Sequence, residues 1–219
     1  MYSGYVLYII DTETTGMIPE EHDVIEISAC RILLDKDEPT REQKTWLLKA
    51  INPRSIEDEA LRVNGHKRED ITHMSKFGKE NYKEPADVVS EIELWMMEDS
   101  VSAIDRIFIG QNPKFDIDMM KALWKKVGSK DTFPFVLEND NRVIDTKQIA
   151  TLWDICTGRR RRYYNLSSLV KSFGVKKGKA HKAEEDVRMT ADLFIKLIYP
   201  VQEVVKTAFN DCYIEVESD

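Results

Sequence analysis

Cysteine is scarce in this chain. Cys30, Cys156 and Cys212 are the only three among 219 residues, far apart and never in a C-x-x-C spacing. An odd, scattered set excludes a disulfide framework and a thiolate zinc site, and it points to a reducing compartment. Long apolar runs are missing as well: no segment reaches the ~18 apolar residues of a membrane helix. The stretch Tyr5–Ile10 has no basic flank and runs straight into Asp11, so it reads as a buried strand and not as a signal peptide. The expectation is a soluble, cytoplasmic protein without membrane contact. The nine glycines form no Walker-type phosphate loop. Nothing supports a serine or cysteine nucleophile, and no repeat or low-complexity linker divides the chain.

What is present is charge. The net value of −7 opposes a nucleic-acid partner only on average, because a local patch can act against the total. Two such patches stand out: Arg159–Arg162 leading into Tyr163 and Tyr164, and Lys176, Lys177, Lys179 and Lys182 around His181. The length suits one α/β domain able to bury roughly 70% of its unfolded surface. That domain is expected over residues 1–200, with a loosely held C-terminal extension over 201–219.

Apolar patterning predicts strands at Val6–Ile10, Val24–Leu34 and Lys44–Leu48, linked as an antiparallel meander with turn chemistry at Asp35–Pro39. Pro53–Gly65 reads as a loop holding a short helix. Helical spacing covers Pro85–Met97 and Asp116–Val127, the latter ended by Gly128. A short buried strand, Ile107–Ile109, lies between them. Val143–Trp153 predicts a strand-to-helix transition, and Asn165–Phe173 a short helix capped by Asn165 and closed by Gly174. Glu184–Ile198 predicts a last helix stopped by Pro200. Three strands followed by alternating helices and strands imply a mixed sheet with helices on its faces.

Asp11 and Glu13 close the first strand two residues apart, so both carboxylates leave it on one face. Alone this pattern is weak, since 39 acids in 219 residues produce about 7 acid-x-acid pairs by chance. Its place at the end of a buried strand, followed by Thr14-Thr15-Gly16, lifts it above that background. Asp116 opens a helix after another buried strand, with Asp118 a rival that spacing does not separate. His181 stands five residues before Asp186, and an imidazole beside carboxylates suits proton transfer at neutral pH. Together these parts match phosphodiester hydrolysis, which needs an activated water and charge stabilisation at phosphorus. Two divalent ions held by carboxylates supply both, and hard oxygen ligands select magnesium or manganese.

The segments YIIDTETTG, GQNPKFD and HKAEED, in that order, resemble the three exonuclease motifs of the DEDDh 3′→5′ exonucleases. That group includes proofreading epsilon subunits, ribonuclease T and oligoribonuclease. The resemblance runs from about Tyr5 to Ile198. It implies a ribonuclease H-like α/β fold with a five-stranded mixed sheet flanked by helices. It further implies Asp11, Glu13 and Asp186 as direct ligands of two Mg²⁺ ions (Mn²⁺ substituting), Asp116, not Asp118, as the fourth acid, and His181 as general base. Thr14, Thr15 and Gly16 would receive the terminal nucleotide, and Asn112 matches an asparagine of the middle motif. Asn64-Gly65 matches the loop after the third strand, with His66 read as a surface residue. Two features depart from the pattern. Gln111 stands where many relatives have histidine, and Arg159–Arg162 reads either as a solvated loop or as an electrostatic guide with Tyr163 or Tyr164 stacking on bases.

The activity implied is 3′→5′ exonucleolytic release of nucleoside 5′-monophosphates from single strands with a free 3′ end. DNA is favoured over RNA, because DTETTG and the long middle of the chain look more like the proofreading subunits. A DNA polymerase is the candidate partner. The alternatives are an exoribonuclease and a non-catalytic nucleic-acid-binding or polymerase-docking domain.

Overall fold

The computed structural model describes residues 4–33, 39–137, 142–178 and 182–209, the side chains at 203 and 205–209 excepted. Its centre is β1 (Val6–Thr14), whose first five residues are all buried. The aliphatic ones among them, Val6, Leu7, Ile9 and Ile10, contribute roughly 1.5–3 kcal/mol each when removed from water, enough together to anchor a strand with an acidic tip. β2 (Val24–Leu33) pairs antiparallel with β1, and β3 (Thr40–Leu47) antiparallel with β2. β4 (Arg106–Gly110) and β5 (Val143–Asp145) continue the sheet in parallel on the other side. The order is β3-β2-β1-β4-β5, the five-stranded mixed sheet expected from the sequence.

Alternation along the strands sorts residues onto two faces. Val6, Tyr8 and Ile10 pack with Ile27 and Ala29 against α4 (Pro85–Met97) and α5 (Lys114–Lys126). Leu7 and Ile9 pack with Cys30 and Ile32 against Val187, Ala191 and Phe194 of α8 (Ala183–Phe209). α6 (Thr146–Thr157) and α7 (Leu166–Ser172) extend that second layer. Between β3 and α4 lie three short helices: α1 (Asp58–Asn64), α2 (Arg68–Ile71) and α3 (Lys76–Asn81). They close a satellite cluster of Ile25, Ala50, Ile56, Leu61, Ile71 and Tyr82. No helix among the described residues is long and apolar enough to cross a membrane.

Two departures from the sequence reading have physical causes. α2 and α3 are too short to show a period, with two and one buried residues respectively. Pro200 does not stop the last helix, which continues to Phe209. The residue lies exposed, and a proline on a solvent face forfeits one ladder bond without burying the carbonyl it frees.

Candidate active site

The parity that buries Leu7 and Ile9 toward α8 carries Asp11 and Glu13 to the same face. Across the ladder they stand opposite Ser28 and Glu26, and the register shifts between Glu13 and Thr14. Packing of Val187 and Ala191 on that face sets the first turn of α8 over the strand tip and delivers Asp186. Asp11, Glu13 and Asp186 are each partly exposed, and each offers an oxygen within 4.8 Å of the others.

Asp116 approaches from the other face. It is buried in the first turn of α5, where its Oδ1 accepts from the Thr12 backbone N–H at 2.9 Å and the Thr12 hydroxyl at 2.8 Å. Thr12 has the opposite parity to Asp11 and Glu13, so one strand end reaches both layers. Asp118 is separate: it pairs with Lys114 at 2.7 Å on the surface of α5.

Crowding acids in a partly dry site makes Asp11, Glu13 and Asp116 resist ionisation. Burial, then Asp116, Glu13, Asp186 and Glu26, hold Asp11 well above the usual carboxylate range. Burial and the neighbouring Glu26, Asp186 and Asp116 push Glu13 up to about 8, with Lys182 opposing. Asp116 is pushed up to about 7 by burial, while its Thr12 hydrogen bonds pull the other way. Such a set favours whatever brings positive charge to it. Three hard oxygen donors in mutual reach fit a divalent cation of the magnesium or manganese type.

The remaining site candidates are distributed unevenly. The Thr14 hydroxyl donates to the Gly16 carbonyl, and the Thr15 hydroxyl accepts from the Asp23 N–H, both at 2.8 Å. Both side chains are buried, as is Gly16, so all three shape the turn, where the Thr15 N–H donates to the Asp23 carbonyl and the Thr15 carbonyl accepts from the Glu57 N–H, both at 2.9 Å. Gly16 packs on His22; a Cβ built on it would lie 2.4 Å from that ring. Asn112 sits at φ 63° at the end of β4, its N–H donating to Asp145 Oδ1 at 3.1 Å. Gln111 bridges, donating to the Tyr164 carbonyl at 2.6 Å and accepting from Thr146 at 2.6 Å. His181 lies outside the described residues.

Two sequence readings are corrected. His66 is not a surface residue: it is 8% exposed, between Glu26 and Tyr82. The Arg159–Arg162 run is neither all solvated loop nor all guide. Arg161 turns inward to Asp154 at 2.7 Å and over the Phe173 ring, while Arg159, Arg160 and Arg162 remain exposed. Sequence reasoning also passed over Thr12 and Glu26. For Glu26 the signal was there: an acid inside the apolar run Val24–Ile27 must be buried with a partner.

A family profile described as Exonuclease (RNase_T) matches residues 8–194. The PolC-type DNA polymerase III of Staphylococcus haemolyticus (strain JCSC1435) is 24% identical over 207 residues, covering 93% of this chain and 12% of its own length. That of Caldanaerobacter subterraneus subsp. tengcongensis is 26% identical over 219 residues, covering 96% of this chain and 13% of its own. The chain thus spans about an eighth of the length of these curated relatives. Among solved structures, the zinc-bound complex of E. coli exonuclease I with single-stranded DNA superposes with a TM-score of 0.71 at 15% identity. It covers 94% of this chain and 43% of its own. Exonuclease I from Methylocaldum szegediense gives 0.68 at 19%, with the same two coverages. At these identities the likeness is one of fold.

Proposed function

Because this chain belongs to the RNase_T exonuclease family, we propose that it hydrolyses single-stranded DNA from the 3′ end, releasing nucleoside 5′-monophosphates. The observation that carries this reading is the trio Asp11, Glu13 and Asp186, with oxygens within 4.8 Å of one another, and Asp116 beside them across Thr12. Asp11, Glu13 and Asp186 would hold divalent metal, with Asp116 serving a second ion. Mg²⁺ is the natural occupant of an all-oxygen set and Mn²⁺ a substitute. When bound, such ions acidify a water and offset charge at the scissile phosphate.

The protein's own groups do the rest. Thr14, Thr15 and Gly16 form the turn that follows the acidic strand tip, and that turn is assigned to the last nucleotide. Asn112, two residues past the end of the neighbouring strand β4, is assigned to the substrate. His181, five residues before Asp186 in the chain, is assigned the proton of the attacking water. The positive end of α8 favours anionic groups at Asp186 and at an incoming phosphate.

The choice of DNA is supported by the names of the similar proteins, which are DNA polymerases and an exonuclease bound to single-stranded DNA. The PolC likeness also supports a polymerase as the working partner. The test uses 5′-labelled DNA and RNA oligonucleotides of one sequence with Mg²⁺ or with EDTA. The expected result is a descending ladder from the 3′ end, only with Mg²⁺ and faster on DNA. Loss of the 5′ label as the first product would overturn the polarity, and faster RNA decay would move the substrate to RNA.

A further inference from the structure

Glu26 is a fifth acid at this site, and none of the assigned roles uses it. It stands directly opposite Glu13 in the β1–β2 register, on the α8 face, at 4% exposure. Burying one more carboxylate beside three others is costly unless it is held by hydrogen bonds. Glu26 is so held: its Oε2 lies 2.8 Å from His66 Nε2, and His66 Nδ1 lies 2.6 Å from the Tyr82 hydroxyl. In the tautomer with the proton on Nε2, His66 donates to the Glu26 carboxylate. Nδ1 is then free to accept from the Tyr82 phenol.

The same loop grips the other strand. Asn64 Nδ2 donates to the Thr14 carbonyl at 3.0 Å, and Asn64 Oδ1 accepts the His66 N–H at 3.1 Å. Asn64 and His66 therefore hold the chain on both sides of Glu13, at Thr14 on its own strand and at Glu26 across the ladder. A structural hydrogen bond alone would not call for a buried acid facing an acidic ligand.

We propose that Glu26, fixed by His66 and Tyr82 opposite Glu13, is a positioning residue of the metal site: an outer anion that tightens divalent-cation binding there. This rests on the reading of Asp11, Glu13 and Asp186 as ligands. Outer partners of ligating groups typically change metal affinity by roughly 10–100-fold.

The test is Mn²⁺ binding by calorimetry, without substrate, to the wild type, Asp11→Ala, Glu26→Gln and Tyr82→Phe. Glu26→Gln keeps the size and an accepting oxygen but removes the charge. The expected result is a Kd raised about tenfold in Glu26→Gln, with unchanged circular dichroism. A smaller rise, about threefold, is expected in Tyr82→Phe, where only the outermost hydrogen bond is lost. The strand KM should be unchanged and kcat restored by added Mn²⁺, a split that general loosening would not produce. A Glu26→Gln Kd within threefold of wild type overturns the proposal. If Glu26→Gln does not fold, Tyr82→Phe decides, and a Kd indistinguishable from that of the wild type overturns it. Absence of Mn²⁺ binding by the wild type, or equal binding by Asp11→Ala, would fell the ligand assignment and the role of Glu26 with it. Binding by the wild type, lost in Asp11→Ala and intact in Glu26→Gln, fells the role of Glu26 alone.

Discussion

Asp11, Thr12 and Glu13 are consecutive, yet they serve opposite faces of one sheet. The two acids turn toward Asp186, and the threonine turns toward Asp116 and holds it with two hydrogen bonds. Replacing Asp11 or Asp186 with Asn should abolish measurable turnover on a labelled strand. It should also leave the metal-free melting temperature at pH 8 equal to or above that of the wild type. Both outcomes have one cause, since acids crowded together repel one another where no cation offsets them. A lower melting temperature with retained turnover would make these carboxylates structural. For His181, loss of the imidazole in His181→Ala should cost roughly 10²–10⁴ in kcat if it takes the water's proton. A loss under threefold across neutral pH would place that step elsewhere.

At the scale of elements, the connection from α6 to α7 shows how a charge run divides its work. Asp154 on α6 is almost fully buried and is shared by Arg161 at 2.7 Å and the Tyr164 hydroxyl at 2.8 Å. Arg161→Ala would leave that carboxylate without its counter-charge, held by the Tyr164 hydroxyl, and breaking a buried pair in this way costs about 3–5 kcal/mol, measurable by urea denaturation. Serine at Arg159, Arg160 and Arg162 together should change stability by no more than ~0.5 kcal/mol per site. The triple variant should instead raise KM for the strand and flatten its salt dependence. The turn after β1 is a second case. Gly16→Ala places a methyl 2.4 Å from the His22 ring, whose Nδ1 accepts the Ile18 N–H. The expected cost is about 1–3 kcal/mol, together with a raised KM.

For the whole molecule, the site lies where the carboxyl ends of the parallel strands β1 and β4 meet and helices arrive from both faces. Open α/β sheets commonly bind ligands at such an edge. The concentration of acids there couples stability to pH. Glu13 and Asp116, raised to about 8 and about 7, keep protons that unfolded carboxylates release near pH 4. Their contribution to stability is therefore full below about pH 4 and is lost as pH rises through about 7–8. Metal-free protein should show a falling melting temperature between about pH 5 and 8, and millimolar Mg²⁺ should remove the fall. A melting temperature that rises over this window in EDTA would contradict the raised values.

Much of this was legible in the chain because it is local. Apolar runs ending in acids marked β1 and its tip, and helical spacing placed α4 with both ends correct. Asn165 marked the start of α7 through the Ser168 N–H it accepts. Three motifs pointed to Asp11, Glu13, Asp116 and Asp186. Other features depended on partners distant in sequence. Glu26 and His66 are 40 residues apart, and Arg161 reads as one of four like charges until Asp154 is placed beside it. Pro200 reads as a stop until its solvent exposure is known. Sequence by itself marked the candidate acids and the strand that presents Asp11 and Glu13, because motifs, periodicity and spacing are properties of neighbours along the chain. Only the tertiary structure decided which of the other charges are buried beside those groups, because desolvation and pairing depend on what folding brings next to them.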